Sequence, residues 1–214
     1  MICSLNEIEA LARKAARGAG MSWGLAEEAG KAARWLSGNG FPGPRLLAEL
    51  LRQNDGKPYS DLAPRQLDGT WRARRGPLCP IIAGALICDR ADELRNGAEL
   101  LLGEVAVPLL LVPFASDASR SAGVTLALEW RGMSIILDGG TPGMYGEEAA
   151  LLAAEAGSVT LTSAGERALA SVRTNPDRHV TTETSRFLEQ FALRTCAPAT
   201  EASRAGAGAG QEGD

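Results

Sequence analysis

The chain has 214 residues, 45% of them apolar and 22% charged, with 22 Lys+Arg against 26 Asp+Glu and a net charge of −4. That composition excludes a disordered chain, a collagen and a small disulfide scaffold. A chain of this length can bury roughly 70% of its extended surface in one core, and its mild acidity gives no general attraction to nucleic acid or to an anionic membrane.

The first forty residues predict a helical pair. Ser4 and Glu7 form a capping box, and Leu5, Ile8, Leu11, Ala12 and Ala15 follow at helical spacing. Gly18 and Gly20 end this helix. Ser22 can cap a second helix over Trp23 to Ser37, in which Gly24 and Gly30 permit close approach of another backbone. Phe41-Pro42-Gly43-Pro44 is a turn. Leu46, Leu47, Leu50 and Leu51 mark a third helix ending by Asn54-Asp55-Gly56. Residues 54 to 79 read as irregular, with Pro58, Pro64, Gly69, Gly76 and Pro77.

From Pro80 onward the pattern predicts strands. Ile81 to Ile87 is a continuous apolar run, as in a strand buried on both faces. Val105 to Phe114 is a second candidate, pushed toward an edge or bulge by Pro108 and Pro113. Val124 to Trp130 alternates apolar and polar, and Arg131-Gly132 turns it into a hairpin with Met133 to Leu137. A helix follows over Glu147 to Glu155, then a strand over Ser158 to Thr162. Ser163 to Arg173 is ambiguous, since Ser163 and Glu166 could cap a helix or Ala164-Gly165 could turn a hairpin. A final helix over Glu183 to Arg194 has Phe187, Leu188 and Phe191 on its inner face, and Ala205 to Asp214 reads as a flexible tail. The expected fold class is therefore α+β. An N-terminal helical part packs on a mixed, mostly antiparallel sheet, with a closing C-terminal helix. The expected organisation is a single domain over 1–197, helical over 1–56 and sheet-containing over 57–197, with an Ala/Gly-rich tail over 198–214.

Four cysteines stand at 3, 79, 88 and 196 without a CxxC pair, so reduced structural thiols in a cytoplasmic protein are expected. The N-terminus lacks the basic and apolar regions of a secretory signal. The longest apolar run, Val105 to Ala115, is far shorter than the ~20 residues that span a bilayer. A single histidine, His179, in a polar turn-like segment, excludes multi-His metal sites and allows one triad at most. No cofactor motif and no metal motif is present.

Three places could carry chemistry. The loop Asp138 to Gly143 follows a strand and precedes a predicted helix. Gly139 and Gly140 allow a ligand to approach the backbone, helix N–H groups could hold an anion, Asp138 could act as a catalytic carboxylate and Tyr145 could donate a hydrogen bond. Geometry alone could equally require those glycines. Trp23 and Glu27, four apart, share a helix face, so the indole could raise the carboxyl's pKa for acid–base work. The bland alternative is a Glu favoured by the helix dipole, with Trp23 in the core. Arg72 and Arg74, with Arg75, Arg65 and Trp71, could grip a carboxylate or phosphate, or could simply be solvated.

Three segments carry a resemblance. They are Ser4-Leu5-Asn6-Glu7-Ile8-Glu9; Arg17-Gly18-Ala19-Gly20 with Trp23-Gly24-Leu25-Ala26-Glu27-Glu28-Ala29-Gly30; and Pro198-Ala199-Thr200-Glu201-Ala202-Ser203-Arg204 with the Gly-Ala repeat to Gly210. Together, and over most of the chain, they resemble a family of uncharacterised alphaproteobacterial proteins classed as a domain of unknown function. The resemblance implies a bacterial origin and carries no catalytic assignment. It also suggests that Glu201 and Arg204 dock on the body. The N-terminal helices are similar to the start of type-2 malate/lactate dehydrogenases as well, but the His-containing segment expected soon after them is absent. The function expected is a binding or accessory protein for a small anionic metabolite, with a homo-oligomer or a partner enzyme as its other associations. A metal-independent enzyme using carboxylate, Arg and Gly-rich backbone groups is the alternative.

Overall fold

The computed structural model describes residues 1–165 and 175–195. Helix α1, Leu5–Gly18, starts at the predicted capping box. The Ser4 hydroxyl accepts the Glu7 N–H at 3.2 Å, and the Glu7 carboxylate accepts the Ser4 N–H at 2.7 Å. The Ser4 backbone N–H, and secondarily the Ser4 side chain, hold the Glu7 carboxyl below its ordinary value. Helix α2, Trp23–Gly38, is capped by Ser22. Helix α3, Gly43–Asn54, carries Pro44 in its first turn, where a missing N–H does no harm.

These helices touch through small residues. Ala12, Ala15 and Ala16 of α1 are fully buried, as are Ala26, Ala29 and Ala33 of α2. A Cβ added at Gly30 would sit 3.0 Å from the Glu9 carbonyl oxygen, so this glycine does admit α1. Gly24, by contrast, has no atom within 4 Å of such a Cβ. At Gly43 the added Cβ would lie 2.2 Å from the Ala33 carbonyl oxygen, which locks α3 onto α2.

The run Ile81 to Ile87 is helical, not a strand. Helix α4 spans Pro80–Asp89, after a 3-10 turn at Tyr59–Asp61 and the two-residue strand β1, Thr70–Trp71. A continuous apolar run has no period that separates a buried strand from a buried helix. Here Pro80 presets the first helical φ, and Ile81, Gly84 and Ile87 are buried at helical spacing. Short helix α5, Ala91–Arg95, and strand β2, Leu100–Leu102, follow.

The second predicted strand is likewise mostly helical. Only Val105–Ala106 is extended, as β3. Val107 then takes a left-handed conformation at φ 42 and ψ 66, Pro108–Leu111 form a 3-10 turn, and α6 runs over Val112–Ala122. Both prolines start helical turns where the sequence predicts an edge or bulged strand. Gly84 of α4 lets α6 approach: a Cβ there would lie 2.3 Å from the Phe114 ring.

The sheet continues with β4, Leu126–Trp130, and β5, Met133–Leu137, joined as predicted by a hairpin with Trp130 opposite Met133. Strand β6, Gly143–Gly146, follows. The helix expected over Glu147 to Glu155 is reduced to α7, Glu148–Leu151, because Glu155–Ala156 instead forms strand β7 against β3. Strand β8 is Val159–Ser163. The six-stranded sheet has the order β1-β2-β8-β4-β5-β6, antiparallel throughout except for the β1–β2 pair. It is thus mixed and mostly antiparallel, and the fold is α+β.

One hydrophobic core runs from Ile8 to Phe191. The N-terminal helices reach the sheet through an intermediate layer: α2 contacts α4 and α6, and α6 contacts β4 and β5. Helix α8, Thr182–Leu193, closes the molecule against α1. Ahead of it, Val180 N–H donates to the Met1 carbonyl at 2.9 Å and Cys3 N–H to the Arg178 carbonyl at 3.0 Å. Past its end, the Arg194 guanidinium forks onto Asp55 at 2.6 and 3.1 Å, which holds that carboxyl below its ordinary value. Glu166 with the ambiguous stretch to Arg173, Cys196, and the tail with Glu201 and Arg204 lie outside the described residues.

Gly18 is the tightest of these contacts, since an added Cβ would lie 1.7 Å from the Phe191 carbonyl oxygen. Gly18→Ala should lower unfolding stability by about 2 kcal/mol or more, because rigid backbone must move. Gly24→Ala, in open space within a helix, should raise it by up to about 1 kcal/mol. Urea denaturation of the two variants checks both signs.

Candidate functional site

The Asp138 loop joins β5 to β6, so no helix N-terminus follows it and the predicted helical anion site is absent there. Its glycines have a geometric task. The Asp138 carboxylate accepts the Gly140 N–H at 2.8 Å, and Gly139 takes φ +85 against Arg120. Tyr145 lies farther along β6, opposite Ser134, and is 43% exposed.

The arginine cluster is separated from its aromatic neighbour. Trp71 is fully buried in β1, its indole N–H donates to the Leu67 carbonyl at 3.0 Å, and it is Arg90 that lies over its ring, at 5.6 Å. Arg72, Arg74 and Arg75 are exposed, and the Arg74 and Arg75 amides are tied to the Asp61 carbonyl. Trp71 therefore braces the β1 edge and offers no stacking face to Arg72 or Arg74.

Trp23 is in the open, 67% exposed on the first residue of α2, and not in the core as the dipole alternative would have it. It stands in a groove of about 570 Å³ where α1, α2 and α8 meet. Helix α1 contributes Leu11, Arg13, Lys14 and Arg17, α2 contributes Trp23 and Glu27, and α8 contributes Glu189, Ala192 and Leu193. Leu193 is 66% exposed. Arg17 is already engaged: it donates to the Met21 carbonyl at 2.6 Å and lies 5.0 Å over the Trp23 ring. Among the described residues, Arg13 and Lys14 make no ion pair and no side-chain hydrogen bond. Glu189 accepts the Ser185 hydroxyl at 2.7 Å.

Glu27 and its indole neighbour thus come to a cavity, whereas Asp138, Gly139, Gly140, Tyr145, Arg72 and Arg74 lie elsewhere. Sequence reasoning missed Arg13, Lys14, Glu189 and Leu193. The basic residues look like the solvated side of an amphipathic helix, and only the crossing of α8 over α1 gives them a common target. A second hollow of about 580 Å³ lies between α3, the start of α8 and the chain at Ala153–Ala154. In it Arg52 is paired with Glu49 at 2.7 Å and Val107 holds its left-handed turn. His179 is exposed nearby, and among the described residues its imidazole makes no hydrogen bond.

Residues 3–76 match the model of a family described as a protein of unknown function (DUF3726). The match covers α1 to α3 and β1, so it includes the α1 and α2 walls of the groove but not α8. It is shorter than the resemblance over most of the chain, and the segment Pro198 to Gly210 lies beyond it. No curated protein and no solved structure gives a significant match. No helix among the described residues is long and apolar enough to cross a membrane.

The cysteines that flank the apolar run sit at opposite ends of α4. Nine residues of helical rise separate them by about 13 Å, too far for a disulfide. Burial pushes the Cys79 thiol up to about 11 and the Cys88 thiol up to about 12. Neither supplies a thiolate near neutral pH. Iodoacetamide at pH 8 should leave both unlabelled in the native protein and label both in urea, as read by peptide mass mapping.

Proposed function

We propose that the protein is a binding or accessory protein that holds a small anionic metabolite in the groove between α1, α2 and α8, and that it works in a bacterial cytoplasm. The observation that carries this is the pairing of an exposed indole with two cations that make no ion pair or side-chain hydrogen bond among the described residues. Trp23, Leu11 and Leu193 form an apolar surface, and Arg13 and Lys14 stand beside it. The volume falls in the roughly 300–1,000 Å³ range of small-ligand sites, which combine an apolar lining with a few placed polar groups. Trp23 and Leu193 left in water forgo the burial that a bound apolar body would supply, at about 25 cal/mol per Å² covered. Arg17, fixed by Met21 and stacked on the indole, keeps the ring from collapsing into the hollow. A reducing compartment suits Cys79 and Cys88, which are free thiols.

Native mass spectrometry of the full chain, purified gently from a bacterial host, tests the proposal. The expected spectrum shows a retained small-molecule mass that disappears in a Trp23→Ala, Leu193→Ser variant of unchanged circular dichroism. A bare mass with a fixed protein companion would overturn it in favour of a partner-binding subunit. A bare dimer that dissociates in the same variant would make Trp23 and Leu193 a contact between copies.

A further inference from the structure

We infer that the groove is built for a monocarboxylate on an extended apolar body and discriminates against phosphate esters. This rests on the α1–α2–α8 groove being the ligand site and names the chemistry that fits it. Among the described residues, the lining carries three cations, Arg13, Lys14 and Arg17, and two carboxylates, Glu27 and Glu189, for a net charge of +1. A single negative charge balances that set. A dianionic phosphate would bring a second charge into a hollow that Glu27 faces from α2 and Glu189 from α8, and like charges there raise its binding free energy. Among the described residues of the lining, the third cation, Arg17, is already engaged: it donates to the Met21 carbonyl at 2.6 Å and lies over Trp23. Arg13 and Lys14 are therefore the pair that meets the carboxylate.

The body of the ligand is apolar for a separate reason. The floor beside those cations is Leu11, Trp23, Ala192 and Leu193. Leu11 and Glu189 also line a smaller hollow of about 260 Å³ on the α1–α8 seam, whose walls include Ile8, Leu188 and Cys3. A chain or ring lying along that seam covers Leu193 and the free side of Trp23, while the headgroup stays at the wet, basic end.

Isothermal titration of the full chain with three probes that share one body and differ in headgroup tests the inference: 4-phenylbutyrate, 4-phenylbutan-1-ol and 4-phenylbutyl phosphate. The carboxylate should bind about tenfold or more tighter than the alcohol, the scale of one charge-assisted hydrogen bond. The phosphate should bind no tighter than the alcohol. Lys14→Gln and Arg13→Gln, both at exposed positions, should each remove most of the carboxylate's advantage and leave the alcohol unchanged. Glu27→Gln with Glu189→Gln should bring the phosphate up toward the carboxylate. Equal binding of carboxylate and alcohol, or tightest binding of phosphate, would overturn the headgroup assignment. In that case the groove would still stand as the site, provided that Trp23→Ala abolishes all three signals. Binding of none of the probes, with no shift of the Trp23 indole or Leu193 methyl resonances, would overturn the site itself.

Discussion

Helix backbones in this protein come closer together than most side chains allow. At Gly18 the carbonyl of Phe191 occupies the space of a Cβ, and at Gly43 the carbonyl of Ala33 does the same. Between these points the α1–α2 seam is lined by alanine. Alanine and glycine bury little apolar area each, so stability here comes from the density of contact along whole helices and not from large anchors. Larger side chains are buried beside that seam, Leu36 in α2 and Leu47, Leu50 and Leu51 in α3, and in the next layer, where α4 and α6 separate the N-terminal helices from the sheet. Leu109, Leu110, Leu111 and Phe114 fill that layer, and Gly84 receives the Phe114 ring.

That spacing also explains where the groove is. Because α1 and α8 are held together at Gly18, their side chains cannot interlock fully on either side of the contact. Leu11, Leu193 and Trp23 remain at the margin, beside the polar side of α1. The groove is a consequence of how helices of small residues cross, and its cations are the ordinary solvent-facing residues of α1 put next to an apolar margin.

How legible this was in the sequence depended on the range of each signal. Capping at Ser4 and Ser22, the Arg131-Gly132 hairpin and the amphipathic final helix all rest on contacts within a few residues, and all are present. The apolar runs at Ile81 and Val105 were misleading for a physical reason. A segment buried on every side loses its period, and the prolines that decide the matter work as helix starters as readily as strand breakers. The helix expected from Glu147 was shortened by a pairing of Glu155–Ala156 with Val105–Ala106, some fifty residues away, which no local pattern contains. Of the candidate site, the Trp23–Glu27 pair was visible because it lies on one helix. Arg13, Lys14 and Glu189 were not, because their proximity is created by a helix that returns from the other end of the chain.

The ties on α8 bear on how fast the groove can fill. One wall is clamped at both ends, by the pairing of residues 178–180 with residues 1–3 and by the Arg194–Asp55 fork. With Gly18 pressed against Phe191 between them, the helix has no free end about which to swing. Among the described residues, the motion left at the groove is rotation of surface side chains such as Trp23, Leu193 and Lys14, on the picosecond-to-nanosecond scale of exposed rotamers. On the proposed binding role, residence time would then be set by contact with the ligand, since the wall itself is tied in place.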